Sequence, residues 1–168
     1  MLSESSRAAS AAEARFRIND PNSKPRAIKV IALDRPSEGV VKRLAQAPWI
    51  NATFLTAFAS ISRHGERFSI QGWLSDLAGH TKNLVDEINS ADLVVMVATA
   101  GEDAQVASII GEACSLKRVM TTALVLGAAS ISDEALSQSL AQLRPWALML
   151  VIANAEEYIS DMLAALRA

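Results

Sequence analysis

Short apolar runs that do not alternate with polar residues, separated by stretches whose apolar positions recur every three or four residues, set the pattern of this chain. The clearest run is Ala91-Asp92-Leu93-Val94-Val95-Met96-Val97-Ala98-Thr99-Ala100-Gly101. A strand without alternation is covered on both faces, as in a parallel sheet, so this run is expected to be the central strand. In such sheets a ligand sits beyond the carboxyl ends of the strands, which marks 99–103 as the place for a site.

Order is expected to begin at Ala27–Leu33, a short run with β-branched residues. The turn Asp34-Arg35-Pro36 follows, with Ser37 as helix N-cap and Val40, Val41 and Leu44 on one helical face ending before Pro48. Asn51–Ala59 predicts a second strand, parallel to the first. Ser60–Gly72 is polar and predicts a loop or hairpin, with a short strand at Arg67–Ile70. From Trp73 to Asn89, Leu74, Leu77, Thr81, Leu84, Val85 and Ile88 fall at helical spacing and predict a helix, interrupted in its logic only by Gly79.

After the central strand, Val106, Ile109, Ile110, Ala113 and Cys114 mark an amphipathic helix over Asp103–Lys117. Val119–Leu126 reads as another buried strand, closed by Gly127. Ser130, Ser132 and Asp133 offer caps for a helix carrying Leu136, Leu140 and Leu143. Trp146–Ala153 reads as the last strand. Asn154, three residues before Glu157, has the form of a capping box for a terminal helix bearing Ile159, Met162, Leu163 and Leu166. The alternation predicts one three-layer, Rossmann-like α/β domain over residues 26–168, with a mostly parallel sheet of about five strands. Residues 1–25 read as a flexible lead-in; their serines and arginines resemble a transit peptide, against which Glu4 and Glu13 argue.

Composition narrows the class. At 168 residues and 51% hydrophobic the chain can bury one core, and a formal charge of −2 offers no basic field to nucleic acid. A single cysteine, Cys114, precludes an internal disulfide and suits a reducing cytoplasm. His64 and His80 lack metal-ligand spacing and read as surface residues. No apolar run approaches the length of a membrane helix, so the expectation is a cytoplasmic, soluble protein.

Ile28-Lys29-Val30-Ile31 through Val40-Val41-Lys42-Arg43-Leu44 is similar to IKVIGVGGGGGNAVNRM, the opening of the tubulin-like cell-division GTPase FtsZ. Ala91-Asp92-Leu93-Val94 through Gly101 resembles that family's ADMVFVTAGMGGGTGTG, Met120–Val125 its LTVGVVT, and Leu148–Asn154 its VDTLIVIPN. The likeness runs over residues 26–158. What it implies is a degenerate member: Asp34-Arg35-Pro36 replaces the first glycine-rich turn, and Gly101-Glu102-Asp103-Ala104-Gln105 replaces the phosphate loop. Proline has no N–H and carboxylates repel phosphate. The likeness stops near the start of the family's core helix, which implies no second domain, no GTP hydrolysis and no FtsZ-like polymerisation.

The candidate crevice comprises Asp34, Arg35, Thr99, Gly101, Glu102, Asp103 and Asn154. Two readings stay open for its acids. Either Asp34, Glu102 and Asp103 hold Mg²⁺ beside a nucleotide or phosphate, with Thr99 or Thr121 adding a hydroxyl, or Asp34 and Asp103 are turn and helix caps beside a solvated Glu102. Thr99, Thr121 and Thr122 read as strand formers, Cys114 as a buried hydrophobe, and Asn154 as a cap or a nucleotide contact. Trp49, Trp73 and Trp146 are core or interface residues. The terminal helix would expose apolar surface unless it packs back, which suggests a homo-oligomer or a protein partner. The first expectation is thus a non-catalytic domain without resident cofactor, working by protein binding or self-association. The alternative is a small metal-dependent, nucleotide- or phosphate-binding enzyme.

Overall fold

The computed structural model describes residues 25–57 and 73–168. The expected lead-in at 1–24 and the loop and short strand expected within 60–72 lie outside the described residues. Among the described residues seven strands form one sheet in the order β4-β3-β2-β1-β5-β6-β7. These are β1 Ile28–Ala32, β2 Ala52–Thr56, β3 Trp73–Asp76, β4 Thr81–Asn83, β5 Leu93–Thr99, β6 Met120–Leu126 and β7 Met149–Ala153. Strands β2, β1, β5, β6 and β7 are parallel, while the hairpin β3–β4 adds antiparallel at the β2 edge. Among the described residues five helices complete the three layers: α1 Arg35–Leu44, α2 Leu84–Asn89, α3 Val106–Lys117, α4 Asp133–Leu143 and α5 Glu157–Ala165.

The central strands owe their place to their composition. Leu93–Ala98 is buried on both faces, as a run without alternation requires. Met96, Ile31 and Ala123 face a core made with Ile88 of α2, Ile110 and Cys114 of α3 and Leu143 of α4. Val30, Val95 and Leu124 face the opposite core, with Val41 of α1 and Ile159 and Leu163 of α5. Ile159 and Leu163 are wholly buried, and Met162 and Leu166 pack on the same cluster. The apolar stripe of α5 therefore packs back on its own chain, one of the two outcomes its sequence left open.

The helix expected over Trp73–Asn89 is replaced by the β3–β4 hairpin and the six-residue α2. Turn chemistry overrides the periodicity. Asp76 accepts hydrogen bonds from the N–H groups of Ala78 (3.0 Å) and His80 (2.8 Å), and Gly79 has φ +86°, a conformation open to glycine at little cost. Leu74, Leu84 and Ile88 still reach the core, so the apolar spacing was real but served a strand and a short helix. Asn83 caps α2 through Val85 N–H at 2.9 Å.

Other boundaries move slightly. Asp34, not Ser37, is the N-cap of α1: its carboxylate accepts from Ser37 N–H while Ser37 Oγ accepts from Asp34 N–H, a closed capping box. The run before β7 begins as a 3-10 turn over Arg144–Trp146. Asn154 is exposed and forms no cap on α5, whose N-cap residue is Glu156 without a side-chain bond. Glu156 instead pairs with Arg43 of α1, bidentate through Nη2 and Nε. That pairing raises the Arg43 pKa, first through the hydrogen bonds Arg43 donates to Glu156 and then through the Glu156 charge.

Candidate functional site

The chain leaves β1 to pair β2 on one side and returns through β5 on the other, so the sheet changes direction between β1 and β5. That point is where a doubly wound sheet opens a crevice. Asp34 follows β1 and Thr99 ends β5, so both stand at its mouth.

There they bond to each other. Asp34 Oδ2 accepts Thr99 N–H at 2.7 Å, and Oδ1 accepts both Thr99 Oγ1 at 2.9 Å and Ser37 N–H at 2.8 Å. Asp34 is 5% exposed and Ser37 wholly buried. A carboxylate with three donors inside the fold is a structural tie across the crevice, and it has little capacity left for a metal or a water.

The loop after β5 is closed from another direction. Gly101, at φ +88°, turns its N–H to Ser139 Oγ of α4 at 2.9 Å. Ala104 N–H donates to Gln142 Oε1 of the same helix at 2.8 Å. A side chain at Gly101 would meet Ile131 at 3.7 Å. The backbone amides that a phosphate would need here are thus bonded to α4, and Ile131 lies beside them.

The remaining candidates do not converge. Glu102 and Asp103 are exposed, and Asp103 accepts from Gln105 N–H at 3.0 Å, a turn just ahead of α3. α3 itself starts at Val106, so Asp103 is not its N-cap as expected. Arg35 is exposed on the first turn of α1. Thr121 binds the Trp146 carbonyl at 2.8 Å, away from this mouth. Among the described residues no three His, Cys, Asp or Glu side chains stand close enough to hold a metal ion.

Ser139 and Gln142 were not singled out by sequence, although a signal existed. Ser139 lies three residues after Leu136 and four before Leu143, on the buried stripe of α4. A hydroxyl on an apolar stripe needs a partner.

A cavity of about 460 Å³ lies elsewhere, at the amino ends of β6 and β7, lined by Gly111, Ser115, Arg118, Thr121, Trp146 and Leu148 among others. Trp49 packs against Phe54 with ring centroids 6.5 Å apart and donates its indole N–H to the Leu44 carbonyl at 2.7 Å. It is half-buried and packs against the core. Cys114 is buried, and desolvation pushes its pKa up to about 12. No protein-family model and no curated protein matches the chain. Among the described residues no helix is long and apolar enough to cross a membrane.

Proposed function

We propose that this is a non-catalytic, degenerate FtsZ-like α/β domain that acts by binding protein, either another chain or itself. One observation carries the reading. The groups that would grip a nucleotide at the β1/β5 crevice are spent internally: Gly101 N–H on Ser139, Ala104 N–H on Gln142, and Asp34 on Thr99 and Ser37. A triphosphate would have to displace those bonds and sit against buried carboxylate, at a cost of about 1–3 kcal/mol for each polar group left unpaired.

The enzyme reading needs Asp34 released to join Glu102 and Asp103 around Mg²⁺. Thermal melting in the presence of GTP, ATP and Mg²⁺ separates the two. A ligand at about 100 times its Kd stabilises by about 2.7 kcal/mol, a clear rise in Tm. The domain proposed here shows no rise with any of them. A rise that disappears in the double variant Asp34→Ala, Glu102→Ala would establish the enzyme reading instead.

A further inference from the structure

The two edges of the sheet are treated differently. At one, β4 is three residues long, and it carries the exposed Lys82, devices that discourage strand addition. At the other, β7 pairs only β6 among the described residues. From Pro145 to Ala155 there is no charged residue. Leu148 is 78% exposed, Met149 49% and Ile152 42%.

The main chain of that edge is also open at Leu150 and Ile152, while Leu148 N–H donates inward to the Thr121 carbonyl at 3.0 Å. Ala100 N–H donates to the Leu126 carbonyl, which turns Leu126, Leu124 and Thr122 toward β5 and Ala123 and Val125 toward β7. In a parallel ladder a bonded residue reaches the two neighbours of the residue opposite it. Leu150 and Ile152, opposite Ala123 and Val125, therefore direct their N–H and C=O groups outward.

Building on the protein-binding reading above, we propose that a second copy of this chain docks antiparallel along β7, about a two-fold axis through Leu150. That register matches the observed exposure. It sets Leu148 against Ile152 of the other copy, Met149 against Val151 and Leu150 against itself, so every cross-strand pair is apolar. Moving the axis to Val151 would put Leu148 opposite Asn154. The same axis brings the exposed Arg144, ahead of the strand, to the end where the partner carries the exposed Glu157, so the charges flanking the apolar stretch are complementary.

The area fits a modest dimer. Leu148, Met149 and Ile152 expose roughly 350 Å² per copy, taking about 200 Å² for a fully exposed large side chain. The edge backbone with Leu150 and Val151 brings the patch toward the ~600 Å² per partner of the smallest specific interfaces, which associate reversibly with Kd on the order of micromolar.

Sedimentation equilibrium of the full chain over a range of concentrations tests this. The wild type forms a dimer, and Leu148→Lys alone or Ile152→Lys alone shifts Kd upward at least tenfold, because each places two lysines against leucine or isoleucine. Leu148→Glu combined with Ile152→Lys in one chain restores the dimer, since each new acid then faces the partner's new base. The melting temperature of each variant reports that the exposed substitutions leave the fold intact. A wild type that stays monomeric throughout, or a dimer indifferent to all of these changes, overturns the proposal. So does failure of the paired substitution to restore what the single ones break. A nucleotide-induced rise in Tm would overturn the proposed function without touching this dimer, so the two failures are distinct.

Discussion

Asp34 has three donors on two oxygens, and that count decides what its replacement does. Asp34→Ala removes the cap of α1, worth about 0.5–2 kcal/mol, and strands the Thr99 N–H, worth about 1–3 kcal/mol more. Chemical denaturation should show a loss of roughly 2–4 kcal/mol. Asp34→Asn should lose nearly as much, because one side of the amide presents N–H₂ to the Thr99 N–H that the carboxylate accepted. Thr99→Val, which removes only the hydroxyl bond, should cost about 1 kcal/mol. Cys114 behaves oppositely. With its pKa raised to about 12 by desolvation, the folded protein keeps the thiol neutral, while the unfolded chain ionises near its ordinary 9.0. Stability should therefore be unaffected below about pH 9 and fall as pH rises from 9 toward 12. At pH 8 a thiol reagent should label Cys114 only after denaturant is added. At this scale the sequence was partly legible. Asp34 was visible as a turn acid and Cys114 as a small hydrophobe, but the tie from Asp34 to Thr99 joins residues 65 apart, which no local pattern encodes.

Among the elements, α3 and the hairpin are the instructive cases. Gly111 lies inside α3, where alanine would ordinarily gain about 1 kcal/mol of helix propensity. A Cβ there would come 2.4 Å from Trp146 Cβ and 3.0 Å from its ring. Gly111→Ala should thus lower stability by a net ~1–3 kcal/mol, and the loss should shrink when Trp146 is also shortened. The hairpin turn depends on Asp76, whose pKa is lowered first by the His80 N–H it accepts and less by the ring of His80. Its contribution is complete above its ordinary 3.8 and disappears as pH falls through the lower folded value. Amide resonances of Ala78 and His80 should shift together in that acid range. Periodicity revealed α1, α3 and α4, each with a continuous apolar stripe. It failed at Trp73–Asn89 because apolar residues three and four apart satisfy a short strand and a following turn of helix as readily as one long helix, and the Asp76–Gly79 turn is encoded by side-chain chemistry instead.

For the molecule as a whole, the parallel core was readable since its strands lack alternation, a global consequence of being covered on both sides. The expected five parallel strands are present, with β3 and β4 added beyond them. The candidate site was legible only as a location. Its chemistry depends on what α4 places there, and Ser139 and Gln142 lie 38 residues from the amides they bind. Lys29 adds a buried tie of the same kind: its Nζ lies 2.8 Å from Glu87 of α2 and 3.2 Å from Thr53 of β2. Glu87→Ala, which leaves that ammonium at 11% exposure with only a hydroxyl, should cost about 1–3 kcal/mol in a denaturant melt.

Because β1 is flanked by β2 on one side and by β5 on the other, a growing polypeptide cannot finish its first strand's surroundings until residue 97 has been made. Such distant pairing raises the entropy of loop closure and slows the search for the native state. A ribosome-bound fragment ending at Ser90 should accordingly remain open to protease, and protection should appear abruptly once β5 and α3 have emerged.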